Sequence, residues 1–468
     1  MDGFFGIEIA RRALETSQYG MNVTAHNIAN ANTPGYTRQR AVLEATESFP
    51  APYWNRPLVQ GQLGTGVRVK VIERVRDSYF DGQIRKENQA LGGWQVKENA
   101  LKQLETIFNE PSEAGLQNAM GEFWNAWQQL SRNPESISIR SSVLEMGRML
   151  VNSFNQLSDK LSRLQENLND QVAAKVNEAN SIAEKIASIN HDVLRIRVYG
   201  TEPNDLLDQR DQLIDQLSKI VDVKITELDS GVMLVYINGR QLVSEQSANQ
   251  LQAVANPLNN GFYDVKWALD GESLVMYDGE LKALVDSRDV IVPKYQGNLD
   301  LLASTLIAEV NNLHSRGYGL DGTTGWNFFT GTSAKDIALS SDVDDPKHIA
   351  AASSWPPGGA PGDNTNALAI AALKNAAVSV GGSLTTMDDY YRSIVANLGI
   401  DSQEASRMVE NGKLYYDLIE NHRQSVSGVS LDEEATNMIK FQRAYQAAAR
   451  LISVFDEMLD VLINEMVR

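Results

Sequence analysis

The sequence predicts a mainly α-helical fold with long coiled-coil helices at both chain termini, more long helices in the middle, and a small all-β inserted domain. Three observations carry this. The last forty residues hold an apolar seven-residue repeat, a 4-3 apolar rhythm runs through about 136–198, and the pattern switches to period two between 223 and 285.

The C-terminal stretch opens with Ser430-Leu-Asp-Glu433, the Ser-x-x-Glu form of a capping box that satisfies orphan amides at a helix start. Met438, Tyr445, Ile452, Leu459 and Met466 then recur every seven residues, as do Phe441, Ala448, Phe455 and Leu462. Such an a/d seam calls for a coiled-coil partner. At ~1.5 Å per residue the helix is roughly 55 Å long, more than a compact domain buries alone. The chain's other end offers a partner. Ile7, Leu14, Met21 and Ile28 repeat by seven, with Ala10, Ser17, Thr24 and Ala31 as the second, thinner seam. A large buried side chain contributes roughly 1.5–3 kcal/mol and ordering a residue's backbone costs about 1–2 kcal/mol. The two terminal helices are therefore expected to pair and to be fully ordered only when copies stack.

The first helix stops at Asn30-Ala-Asn32-Thr-Pro34-Gly35-Tyr36, where Pro-Gly suits the two central positions of a type II turn. Residues 40–76 alternate as strands or a hairpin, most clearly at Val67-Arg-Val-Lys-Val71. Gly61, Gly64 and Gly66 read as turn glycines, because no helix start follows them as a phosphate loop requires. A helix runs from about 78 to Phe108 and another over about 113–131; the second carries Phe123, Trp124 and Trp127 at core spacing. Residues 136–198 form the longest helix, broken by Gly200 and Pro203. The helix Asn204–Ile220 folds back on it, and its dense Asp, Arg and Gln pattern reads as a charged outer face with i,i+4 pairs.

Period-two runs at Met233–Ile237, Phe262–Trp267 and Leu274–Met276 follow, separated by Asn238-Gly239, Asn259-Asn-Gly261 and Asp270-Gly271, which are hairpin signals. Helix returns at 294–315. Asp342, Asp344, Asp345 and His348 can hold a hard cation, but Asp345 before Pro346 is better read as the cap of a short helix. Residues 354–366 read as loop. From 384 to 427, Met387, Ile394, Met408 and Tyr415 keep a seven-residue frame, with Tyr391, Leu398, Ala405 and Ile419 between them. The expected division is a terminal coiled-coil domain (1–36 and 430–468), a mainly helical middle domain with short strands (37–222 and 286–429), and a β domain (223–285).

Composition narrows the function. The 468 residues carry a net charge of −18, which repels a nucleic-acid backbone. The absence of cysteine excludes disulfides and thiol chemistry. No run of about 20 apolar residues is present to span a membrane, and the N-terminal residues lack the pattern of a cleaved signal peptide. The five histidines, His26, His191, His314, His348 and His422, show no metal-ligand spacing, and no motif pairs carboxylates in a cleft. The reading is no enzyme, no cofactor and no metal. His26 and His422 lie on seam-bearing helices, where a structural role outweighs pH sensing.

The string Asn27-Ile-Ala-Asn-Ala-Asn-Thr-Pro-Gly-Tyr36-Thr-Arg-Gln39 resembles the N-terminal signature of the bacterial flagellar rod, hook and hook-associated proteins. Ser427-Gly-Val-Ser-Leu-Asp-Glu-Glu434 through Met466 resembles their C-terminal signature. Between them Phe108-Asn-Glu-Pro111, Leu130-Ser-Arg-Asn-Pro134, Asn204 through Asp211, Gly279 through Leu284 with Arg288-Asp289, and Gly362-Asp-Asn-Thr-Asn366 resemble the hook-associated members. The resemblance implies a structural flagellar protein in which both chain ends form one coiled-coil domain of the axial tube. It implies a helical tier of head-to-tail copies joining hook to filament, with hook protein on one side and a second junction protein or the filament on the other. It also implies a chaperone on the C-terminal helix before export without a cleaved signal, and a final place in the extracellular flagellum. Ile7, Leu14, Met21, Ile28, Met438, Phe441, Tyr445, Ile452, Phe455 and Leu459 are the candidate assembly seam. Asn30, Asn32, Pro34, Gly35 and Tyr36 are the candidate turn that sets the exit angle of the chain. The alternatives are another rod or hook protein, or a junction protein whose β insertion also acts as an adhesin.

Overall fold

The computed structural model describes residues 2–49, 63–113, 115–355, 361–461 and 463. Gly61, Leu462, Met466 and the loop residues 356–360 of the sequence reading lie outside them. Helix α1 (Asp2–Asn30) leads into a two-stranded antiparallel ribbon, β1 (Gln39–Ala45) with β4 (Val67–Arg74), extended by β2 (Ser48–Phe49) and β3 (Leu63–Gly64). The ribbon lies on α1, where Thr16 donates its hydroxyl proton to the Val67 carbonyl.

Helices α2 (Ser78–Phe108), α3 (Leu116–Arg132), α4 (Ile137–Arg197) and α5 (Asn204–Ile220) follow. Asp77 caps α2 through its side chain, and Ser136 caps α4 by accepting the Ile139 amide. Asn109, in the left-handed region at φ 46°, ends α2. At 61 residues, α4 is about 90 Å long. Its 4-3 stripe from Leu150 to Ile186 is buried throughout. It is the spine on which α3, α5 and the later elements pack.

The β insertion holds the antiparallel sheet β5 (Val223–Glu227), β6 (Met233–Ile237) and β7 (Arg240–Val243), and the ribbon β8 (Leu251–Ala255) with β9 (Tyr263–Trp267). Asn238 and Gly239 both have positive φ, as a two-residue hairpin turn of the twisted kind demands. The Leu274–Met276 run does not form a strand. Leu274 is buried but Val275 is 49% exposed; Leu274 makes one backbone bond to Val265, and the chain then leaves for Gly279 and α6 (Glu280–Asp286). The inner faces of β6 to β9 join the same hydrophobic core as α4.

A π-turn over 287–291 leads into α7 (Val292–His314). Short ribbons β10 (Phe329–Thr330) with β11 (Ala338–Leu339) and β12 (Val378–Val380) with β13 (Ser383–Thr385) flank α8 (Thr365–Ala372). Asp345 caps the turn 346–348 by accepting the Lys347 amide at 2.9 Å. The chain closes with α9 (Met387–Ser427) along α2, and α10 (Leu431–Asp460) along α1. In α9 the line Tyr391, Leu398, Ala405 and Ile419 is buried as its seven-residue frame predicts. The line begun by Met387 and Ile394 is not kept: Met408 and Tyr415 are exposed and Val409 is buried instead. A straight helix drifts off a strict heptad, so this second line moves on by one position. Phe123, Trp124 and Trp127 are core residues, with the Phe123 ring tilted against Phe328 and Phe329. Among the described residues, no helix is long and apolar enough to cross a membrane.

Fully buried His314 closes the core beside Trp127 and Phe328. Its Nε2 accepts the Ala350 amide at 3.0 Å, so Nδ1 carries the proton and donates to the Trp326 carbonyl at 2.7 Å. Burial outweighs the Trp326 bond and pushes its pKa down to about 4, with Arg140 adding to the depression. Unfolded, the imidazole titrates near ~6.5. The unfolded state thus binds the proton first, and the ring's stabilising contribution is complete above about pH 6.5 and lost as pH falls to about 4. That loss amounts to about 3 kcal/mol. His314→Gln, compared with wild type by urea unfolding, is expected to be less stable at pH 7 and to converge on wild type toward pH 4. A gap independent of pH would contradict the assignment.

Candidate functional site

The two chain ends meet as an antiparallel pair. A Cβ placed on Gly20 would lie 2.5 Å from the Phe441 ring, and one on Gly6 would overlap the Phe455 ring. Asn27 donates to the Glu434 carboxylate at 3.0 Å. These three contacts share one register, seven and fourteen residues apart on both helices. The same register sets Ala13 opposite Ala448, which is 3% exposed. Large side chains therefore come from α10 and the smallest possible ones from α1. The apolar stripe of α10 lies toward α1, with Met438, Phe441, Tyr445, Ile452, Phe455 and Leu459 all half-buried.

On α1 the facing positions are Gly6, Ala13, Gly20 and Asn27, one residue before the heptad of Ile7, Leu14, Met21 and Ile28. Those four flank the contact. The first three are half-buried and Ile28 is 37% exposed. The buried line of α1 runs instead through Ala10, Thr16, Ser17, Gly20, Val23, Thr24 and Asn27, shared between α10 and the β ribbon. Gly6 and Gly20, a double heptad apart, were the signal in the sequence for the facing line.

At the inner end of this pair, Asn27 is 0% exposed and its amide is fully used. Its Nδ2 donates to the Gln39 carbonyl (2.8 Å) and to Glu434 (3.0 Å). Its Oδ1 accepts the Gln39 amide (2.9 Å) and the Tyr36 hydroxyl (2.8 Å). Two donors and two lone pairs are the whole capacity of the group. Burial, then the carboxylates of Asp205, Asp208 and Glu434, push the Tyr36 hydroxyl pKa up, which keeps it a donor. His26 lies beside it, with Nδ1 3.0 Å from the hydroxyl.

The turn before this segment is the expected type II turn. The Tyr36 amide donates to the Thr33 carbonyl at 3.1 Å, and Gly35 has φ +80°. Asn30 bonds within the turn, to the His26 carbonyl and to Thr33, while Asn32, Pro34 and Gly35 are exposed.

Four consecutive residues after the turn reach different elements. Tyr36 bonds to α1, and Thr37 donates its amide to Asp208 of α5 at 2.8 Å. Arg38 donates its amide to the last residue of α9, Ser427, and its guanidinium to Glu433 and Glu434 of α10 at 2.8 Å. Gln39 bonds to Asn27 and, through its side chain, to Asp205. Ser430 caps α10 by accepting the Glu433 amide, as the capping box predicts.

The charged residues of α5 are not an outer face. Asp211 is 2% exposed and Asp208 and Arg210 are buried. Arg74 reaches both Asp208 and Asp211 at 2.8 Å, Arg76 reaches Asp81 at 2.6 Å and Asp211 at 3.0 Å, and Arg85 reaches Asp211 and Asp215. Arg423 of α9 closes the network on Asp215 at 2.9 Å. Burial pushes the Asp211 carboxyl up, but Arg76, Arg74 and Arg85 together outweigh it and hold its pKa below the ordinary value. The counter-ions come from β4, α2 and α9, all distant in sequence, so spacing within α5 does not reveal them. With its carboxylates and guanidiniums paired to one another, the arrangement is a polar joint under two helices.

The chain was compared with known proteins. The family model described as flagellar hook-associated protein FlgK helical domain matches residues 101–329. A flagella basal body rod protein model matches 7–37, and a flagellar basal body rod FlgEFG protein C-terminal model matches 421–465. Flagellar hook-associated protein 1 of Bacillus subtilis (strain 168) is 36% identical, with 99% of this chain and 98% of that protein covered. Its counterpart in Escherichia coli (strain K12) is 25% identical, with 98% and 99% covered. The solved structure of the flagellar hook junction protein FlgK from Burkholderia pseudomallei superposes with a TM-score of 0.65 at 15% identity, covering 74% of this chain and 100% of that one. At that identity the superposition speaks for the fold alone.

The glycine contacts give a direct test. Gly20→Val is expected to destabilise the helix pair by about 1–3 kcal/mol through overpacking against Phe441. Adding Phe441→Ala should return part of that loss, so a double-mutant cycle read by denaturant unfolding gives a coupling energy. Strict additivity of the two substitutions would rule out the contact.

Proposed function

The chain belongs to the flagellar hook-associated protein 1 family, and from that premise we propose that it forms the tier joining the flagellar hook to the filament. The family is structural, and the protein is a flagellar one. Copies assemble by head-to-tail contacts between unlike surfaces, which continue into a ring or short helix rather than closing as a dimer. The terminal pair α1 and α10 supplies the inner tube, the helical body its wall, and the β insertion the outer surface.

One observation supports stacking above all. Leu451, Val454 and Met458 of α10, with Val461 just beyond its end, are about half exposed and form a stripe on a face separate from the seam toward α1. Ile400, Met408, Leu414, Tyr415, Leu418 and Val426 form a second exposed stripe along α9, away from α2. Exposed apolar stripes of this length are interaction surfaces. Neighbouring copies cover both in this reading. Each side chain so buried contributes up to about 1.5–3 kcal/mol.

The same reading assigns the other partners. Hook protein sits on one side of the tier and a second junction protein or the filament on the other. Before export from the cytoplasm, a chaperone covers the C-terminal helix, whose stripe is then unoccupied; the destination is the extracellular flagellum. The triple substitution Leu451→Ser, Val454→Ser, Met458→Ser is expected to leave the monomer folded by circular dichroism. It should abolish concentration-dependent association in sedimentation velocity and fail to restore motility to cells lacking the protein. Normal stacking by this variant would sink the proposal.

A further inference from the structure

We propose that Asn27, Arg38 and Glu434 form a lock that sets the angle between the terminal helix pair and the body, a task the Asn30–Gly35 turn does not perform. Two short connections, residues 31–38 and 428–430, carry the chain between the body and the pair, and the β ribbon packs along α1. The turn residues Asn32, Pro34 and Gly35 are exposed, and Asn30 bonds only within the turn and to the helix end it follows. None of them holds α10. Asn27 and Arg38 do.

The two connections are tied to each other at one place. The Arg38 amide donates to Ser427 at the end of α9, so the chain leaving α1 is bonded to the chain about to enter α10. The Arg38 guanidinium then grips Glu433 and Glu434, on the first turn of α10. Glu434 is 2% exposed on a helix whose other residues, Ala448 apart, are half-buried or exposed. In the heptad register it occupies the layer that Phe441, Ala448 and Phe455 continue. A carboxylate thus stands where the pattern calls for an apolar side chain, and it faces Asn27, the most fully bonded residue of α1. Single polar layers of this kind in coiled coils fix geometry at a cost in stability. Replacing buried polar partners by well-packed apolar residues is often neutral or stabilising. The lock therefore predicts that orientation and stability separate.

The natural chain has no cysteine, so two introduced cysteines take spin labels without background. Exposed Glu410 on α9 and Gln442 on α10 report the angle across the connection. In the otherwise native full-length monomer, electron–electron distance measurement should give one narrow distribution. Asn27→Leu with Glu434→Leu is expected to keep the helical signal and the thermal midpoint while broadening that distribution at least twofold. Arg38→Ala should broaden it as well, and Arg38→Lys should restore part of the narrowness. Unchanged width in both the double variant and Arg38→Ala overturns the lock, as does broadening that appears only in step with lost helix. The angle stands on the monomer alone. Its consequence for the tier rests on the stacking reading, which the association experiment tests separately.

Discussion

The structure depends on both ends of a 468-residue chain returning to one point. Residues 36–39 make that possible. An extended segment would leave its amides and carbonyls without partners where it is covered, which is costly. Here each residue in turn finds a different element: α1, α5, α9 with α10, and α1 with α5 again. One of the carboxylates that receive them, Asp208, belongs to a network in which four guanidiniums converge on four aspartates. Breaking a buried pair of this kind typically costs about 3–5 kcal/mol, so the joint resists opening one bond at a time. In the lock proposed above, this joint holds a helix pair with little core of its own at a defined angle to the body.

The division of labour within the pair follows from size. Gly6 and Gly20 on α1 receive Phe455 and Phe441 from α10, so the contact is close but shallow. Among the described residues, the main hydrophobic core includes none of α1 or α10. What remains uncovered is the second face of α10 and the outer stripe of α9. In a chain that acts alone these would be a liability. Under the stacking proposed above, neighbouring copies cover both, and the shallow seam and the uncovered face belong to one arrangement in which ordering is shared between the chain and its neighbours.

Much of this was legible from residue spacing. The capping box at Ser430, the end of α1 at Asn30, the type II turn at Pro34-Gly35, the span of α5 and the twisted hairpin at Asn238-Gly239 all rest on local stereochemistry, which a sequence states directly. The apolar line of α10 was legible because large residues mark it. The facing line of α1 was not: burial there belongs to glycine and alanine, which carry no hydropathy signal, and the eye falls on Leu14 and Met21 one position along. The charged residues of α5 misled for a related reason. Whether a carboxylate is solvated or buried depends on counter-ions from elsewhere, and Arg74, Arg85 and Arg423 lie far off in the chain. The run Leu274–Met276 is apolar at each position, yet Val275 is exposed and no strand forms, so a short apolar run does not guarantee a ladder.

The central claim is that the terminal pair is held at its inner end by the joint and completed at its outer end by neighbouring copies. Backbone amide exchange along α1 and α10, compared between verified monomer and stacked protein, tests it most directly. The account predicts a gradient in the monomer, with protection strong near residues 20–30 and 431–441 and falling toward 5–12 and 450–460, well below that of α4. Stacking should erase the gradient. Uniform protection of both helices in the monomer, equal to that of α4 and unchanged on stacking, would contradict it.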